Sequence, residues 1–209
     1  VNDAIARLSP IIGVAFVDGK TRERWLERLF AAHGADRVPY LGQLADRWGE
    51  LCGSKVIASV WAERLLPYTR LALSPDPELR GHFHGTVPCL SALFRAERWD
   101  ELVELLEVDT YWPYKRWAVN AMVACGKKAE ALRLAESCRT SVSSPRPIDE
   151  ACEAILLSSG LYEQAYDRYA ARANRRDSLL ATASAIAAKY PHKAASEVLR
   201  DLTVADLTR

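Results

Sequence analysis

The sequence predicts an all-α protein, an α-α superhelix of antiparallel helical hairpins, and three observations predict it. Apolar residues recur at helical spacing through nearly the whole chain. β-Branched clusters are confined to Ile11–Val17 and Val56–Val60, and the second lies inside a helical pattern. Three segments align on one turn position, occupied by Glu97, Gly126 and Gly160, which are 29 and 34 residues apart.

The first amphipathic helix opens at Thr21, a candidate N-cap, with Trp25, Leu26, Leu29 and Phe30 as its apolar face, and stops near Gly34. A second helix is expected from about Pro39 to Leu51, ending at Gly53. A third runs from Lys55 to about Leu73, with a kink expected at Pro67 because proline lacks a backbone donor. Ser74-Pro-Asp-Pro-Glu78 is the clearest break. It divides an irregular helical region, 1–74, from a region of paired helices, 75–209, that continues it as one solenoid of five or six pairs.

In the paired region the spacing explains itself physically. Five residues after the turn come Leu102, Ala131 and Ala165; nine after come Leu106, Ala135 and Tyr169. A glycine at the turn admits positive φ, and a small residue five on lets the second helix approach the first. Cys89 and Cys152 each lie eight residues before a turn, which predicts equivalent, inward-facing positions. A fourth pair is expected from Leu179–Tyr190 and Ala194–Leu202, separated by Pro191.

This pattern resembles the tetratricopeptide repeat, with its turn glycine, its small residue five on, its aromatic nine on and its period of 34. Residues 148–160, 165–170, 187–193 and 197–202, with His82–Leu90 upstream, also resemble an uncharacterised bacterial family of helical-repeat proteins, over about residues 55–202. That resemblance implies a helical stack and carries no activity or catalytic residue.

Composition narrows the function. The 209 residues carry 28 Lys+Arg against 27 Asp+Glu and are 49% hydrophobic, with 32 Ala and 26 Leu. Balanced charge and ordinary hydrophobicity exclude a disordered tail. A net charge of +1 gives no global drive toward nucleic acid or acidic membranes. Five cysteines, with no CxxC pair, suit free thiols in a reducing compartment, so a cytoplasmic location is expected. No run of 18 apolar residues is present. The chain starts at Val1, so a longer N-terminal region, or a processed start, is expected.

Each chemical candidate has a plainer explanation. His82, His84 and Cys89 form the one His cluster, but two residues on a helix separated by one position point apart, and Gly81 and Gly85 suggest a turn, so structural or solvated histidines are expected and no metal. The cysteines lack a sequence signal for a nucleophile. Six carboxylates (Glu97, Asp100, Glu101, Glu104, Glu107, Asp109) against Arg98 read as a solvated helix face. Neither a phosphate-binding glycine loop nor a nucleophile elbow is present. No catalytic residue and no cofactor are therefore expected.

The near-zero charge conceals segregation. The acidic stretch at 97–109 is followed by a basic one at 110–147, which holds Tyr111, Trp112, Tyr114 and Trp117; of these, Trp112, Tyr114 and Trp117 read either as core of a hairpin's first helix, with the charges in water, or as binding aromatics. A second basic set is Arg172, Arg175, Arg176, Lys189 and Lys193, against Asp177. The adjoining acidic and basic stretches fit either polarity along a stack or pairing between neighbouring hairpins. Stacked hairpins expose an extended concave surface, and Arg and Tyr are frequent interface anchors, so the function expected is a non-catalytic scaffold whose concave face binds a protein, a peptide of acidic character or another part of a longer chain. Tyr111, Tyr114, Lys115, Arg116, Tyr162 and Tyr166 are its candidate contacts. The alternatives are a nucleic-acid-binding repeat module and a regulatory domain whose active part lies outside this chain.

Overall fold

The computed structural model describes residues 2–36, 41–141 and 144–207. They are helical, with no strand among them. The chain forms two compact units, 1–125 and 126–209. The division falls at Cys125/Gly126, and not at the Ser74–Glu78 break. That break only reverses the chain, because α5 (Lys55–Ala72) and α6 (Thr86–Arg95), which flank it, pack against each other.

The first unit continues with α1 (Asn2–Val14), α2 (Gly19–Ala35), α3 (Gly42–Asp46), α4 (Trp48–Leu51), α7 (Trp99–Leu105) and α8 (Trp112–Ala124). The N-cap of α2 is Asp18, not Thr21. Its carboxylate accepts from Thr21 N–H at 2.9 Å and from Thr21 Oγ1 at 2.8 Å, so the helix starts a turn earlier than the apolar pattern does. The expected start at Pro39 lies outside the described residues; from Gly42 the chain makes two short helices where one was expected. Helix α5 runs through Pro67 to Ala72 as a single element.

Aromatic packing builds the first core. Trp48 and Trp61, both fully buried, meet edge-on at 5.1 Å, and Phe30 contacts them at 5.7 and 5.6 Å. Helices α4 and α6 approach closely at Gly49. A Cβ there would lie 2.4 Å from the Ser91 carbonyl oxygen, so α4 can rest on α6 only without a side chain. Gly49 N–H donates to Ser91 Oγ, which donates to the Asp46 carbonyl, each at 2.9 Å.

The second unit comprises α9 (Lys128–Ser137), a 3₁₀ turn (Cys138–Ser141), α10 (Arg146–Ser158), α11 (Tyr162–Ala165), a π-turn (Tyr166–Ala170), α12 (Ala171–Ala173), α13 (Leu179–Lys189) and α14 (Ala195–Leu207). Helix α10 packs on α9 and on the stretch from α11 to α12; α13 packs on α14.

The predicted turns share a backbone conformation. Glu97, Gly126 and Gly160 have φ of 60°, 78° and 73°. At two of them the next N–H reaches back five residues, Arg98 to Leu93 O at 3.1 Å and Leu161 to Leu156 O at 3.0 Å, the hydrogen bond of a Schellman cap. Leu102, Ala131, Ala165, Leu106, Ala135 and Tyr169 are all buried, as are Cys89 and Cys152. Gly53, with φ 73°, repeats the register: Ala58 and Ala62, five and nine residues on, are completely buried.

Candidate functional site

The six candidate contacts divide between the two units. In the first, Tyr111 caps the start of α8 and is 56% exposed, and its ring meets that of Tyr114 edge-on at 5.1 Å. Asp109, itself buried, fixes this corner by accepting Tyr111 N–H at 2.7 Å and pairing with Arg80 at 2.5 Å. Burial pushes the Tyr114 hydroxyl above its usual range, reinforced by Tyr111 and Asp109, so the Tyr114 hydroxyl stays protonated at physiological pH. Trp112 and Trp117, the other aromatics of this stretch, are buried. The surface aromatic patch is thus a tyrosine pair.

Lys115 is placed differently from what a partner contact requires. It is buried, and its ammonium donates to the Leu106 and Glu107 carbonyls at 2.6 and 2.8 Å, at the C-terminal end of α7. These carbonyls directly follow the last turn of α7, whose C-terminal end carries the negative end of the helix dipole, so a cation is held there. Arg116 ion-pairs with Asp46 and stacks over Trp117, with its guanidinium 5.2 Å from the ring centroid.

In the second unit Tyr162 is 47% exposed and lies 5.9 Å from the His192 ring. Tyr166 donates its hydroxyl to Asp201 at 2.8 Å and carries the Lys193 ammonium over its face at 4.8 Å. Glu163 bonds Lys193 at 3.0 Å, which holds its carboxyl below the usual range and raises the Lys193 ammonium. These groups lie together on the surface where the π-turn begins.

The charges that suggested a binding face mostly serve the fold. In the acidic stretch Glu97 pairs with Lys55, Glu101 with Arg70 and Arg98, and Asp109 with Arg80. Glu97 and Glu101 thus answer α5 on the preceding side, not the basic stretch that follows. Arg139 and Arg172 both pair with buried Asp149, and Lys128 donates to the Ser158 carbonyl at 2.6 Å. One turn along α10, buried Glu153 accepts from Lys189 at 2.7 Å, Asn174 at 2.6 Å and the Tyr190 hydroxyl at 2.9 Å.

This buried carboxylate pair was missed in the sequence, although Asp149 and Glu153 are separated by four positions on the same helix as inward-facing Cys152. Arg22 was missed as well. Buried, and with no carboxylate partner among the described residues, its guanidinium donates to the carbonyls of Ile12, Ala15 (2.6 Å) and Leu51 (3.3 Å) where α1 and α4 end.

Three buried thiols are damped. Burial pushes the Cys52 thiol up to about 12 and those of Cys89 and Cys152 to about 11, far from a thiolate at neutral pH. His84 packs its ring on Phe30 at 4.6 Å and on Phe83 at 5.2 Å, as a structural histidine would. Among the described residues no three His, Cys, Asp or Glu side chains converge as a metal site, and no helix is long and apolar enough to cross a membrane. Comparison with protein-family models, curated proteins and solved structures finds no match.

Proposed function

We propose that the chain is a non-catalytic scaffold of tetratricopeptide-like helical hairpins that binds a protein or peptide partner. Stacked hairpins expose an extended surface, with a concave face, suited to such a partner. The repeated turn register at Gly53, Glu97, Gly126 and Gly160 supports the repeat reading. The observation that carries the binding reading is the Tyr111–Tyr114 pair: an edge-on aromatic contact left on the surface at a rigid, Asp109-fixed corner. Tyrosine contributes large contact area at small entropic cost, so an exposed Tyr111 held against half-buried Tyr114 is a good anchor. Arg116, two residues after Tyr114, is already ion-paired with Asp46, so an acidic partner would compete with that carboxylate for its guanidinium. Lys115 is left out of the contact set because its ammonium is enclosed. Tyr162 and Tyr166, with Lys193, form the corresponding candidate surface of the second unit.

The test is selection of a displayed random-peptide library against the immobilised chain, repeated with the Tyr111→Ala/Tyr114→Ala variant. Enrichment of acidic peptides by the wild type, lost in the variant, is the expected result. No enrichment, or enrichment that survives the double substitution, overturns the assignment. Circular dichroism of the variant guards against unfolding, which is not expected because Tyr111 is largely exposed.

A further inference from the structure

The second unit contains a cavity of about 770 Å³ to which four guanidinium groups contribute, those of Arg146, Arg172, Arg175 and Arg176. Its volume is within the range of small-molecule sites. Two carboxylates, Asp149 and Asp177, also line it. Arg172 is answered by Asp149 at 3.3 Å, and Asp149 is answered a second time by Arg139 at 2.6 Å. Arg146 is bonded to Glu150 at 3.0 Å. Among the described residues no carboxylate pairs with Arg175 or Arg176. The cavity therefore keeps an excess of positive charge after its internal pairs are formed.

The loop that carries those two arginines is held at both ends. Asn174, buried, donates to Glu153 at 2.6 Å and to the Ala170 carbonyl at 2.8 Å. Arg176 N–H donates to Thr182 Oγ1 at 2.9 Å, which ties the loop to α13. Ser178 then caps α13, with its Oγ accepting Ala181 N–H at 3.1 Å and its carbonyl accepting Thr182 N–H at 2.9 Å. This cap leaves the N–H groups of Leu179 and Leu180 at the head of an eleven-residue helix whose first residues border the cavity. Positive side chains on a fixed loop and the positive end of a helix face the same space.

We infer that this cavity binds a small phosphorylated molecule, with Arg175 and Arg176 holding the phosphoryl group. A phosphoryl group carries nearly two negative charges and three acceptor oxygens, which matches two forked guanidinium donors better than a single carboxylate does. The space beyond one phosphate accommodates a further part of the ligand. The inference concerns the second unit alone and is independent of the peptide reading above.

Pyrophosphate titrated into the full chain, followed by thermal unfolding and calorimetry, tests it, with sodium chloride at matched ionic strength as control and inorganic phosphate as the smallest probe. The expected result is a saturable rise in Tm with pyrophosphate and none with chloride. In Arg175→Gln/Arg176→Gln the Kd rises about tenfold or more, the loss expected for charge-assisted hydrogen bonds. Both side chains are exposed, so the unliganded Tm of the variant stays at the wild-type value. An absent or unsaturable shift overturns the inference, as does an equal shift in the variant. Binding of a single-stranded RNA that depends on both arginines while pyrophosphate does not bind also overturns it, in favour of a nucleic-acid site.

Discussion

Glu97 is the one non-glycine residue among those described that has a positive φ, 60°. A Cβ in that region crowds the neighbouring carbonyl and costs on the order of 1 kcal/mol. Its carboxylate pairs with Lys55 at 2.5 Å, but both groups are about half exposed, so the pair offsets only part of the strain. Glu97→Gly is therefore expected to stabilise the protein by about 0.5 kcal/mol. Gly160→Ala is expected to destabilise it by about 1 kcal/mol, since a Cβ there meets nothing within 4 Å and the cost is conformational alone. Urea denaturation midpoints measure both. A loss of stability in Glu97→Gly would mean that the Lys55 pair outweighs the backbone strain.

At the scale of the element, α10 shows how a helix can have a polar inner face. Asp149 and Glu153 are both 1% exposed, one turn apart, and each is met by cationic or hydroxyl donors from other segments of the second unit. A buried carboxylate so surrounded is costly to remove, because its donors lose their acceptor together. Glu153→Ala is expected to destabilise the protein by about 3 kcal/mol. Glu153→Gln keeps an acceptor for Asn174 and Tyr190 and should lose less. Chemical denaturation of both variants checks the order; equal losses would show that charge, and not hydrogen bonding, dominates the site.

The elements were legible from sequence to the extent that their signals are local. Turn positions and inward-facing residues follow from a positive φ and a helical period, so Cys89, Ala131 and Ala165 were placed correctly. The Gly53 unit carried the same signal in Ala58 and Ala62. It was overlooked because Gly53 lies 44 residues before Glu97, outside the 29 to 34 of the other spacings. Lys115 was misplaced for a different reason. A lysine in an amphipathic pattern defaults to solvent, and only the end of α7 beside it supplies the carbonyls that enclose its ammonium.

At the scale of the whole molecule, His84 links stability to pH. Burial among Phe30 and Phe83 disfavours its charged form, and His33 and His82 oppose it further, so its folded value lies below the ordinary 6.5. The unfolded chain therefore binds the proton more readily than the folded one. The stability contributed by neutral His84 is complete above pH 6.5 and is lost as pH falls through the lower folded value. The urea midpoint should decrease between pH 7.5 and 5.5, and this decrease should shrink in His84→Phe, which keeps an aromatic ring without a titrating group. An unchanged decrease would assign the dependence to other groups.

The chain by itself determined that it folds as helices, where three of its turns fall and which small residues those turns bury, because backbone conformation and helical period act within a few positions. The tertiary structure alone decided what the charges do. Long Arg, Lys, Asp and Glu side chains choose partners by distance in space, so Arg80 finds Asp109, Arg139 finds Asp149 and Lys189 finds Glu153 across 29, 10 and 36 positions. That pairing leaves, of the basic second set, two arginines at a cavity with which no carboxylate pairs among the described residues, and Tyr111 and Tyr114 in edge-on contact at the surface of the first unit.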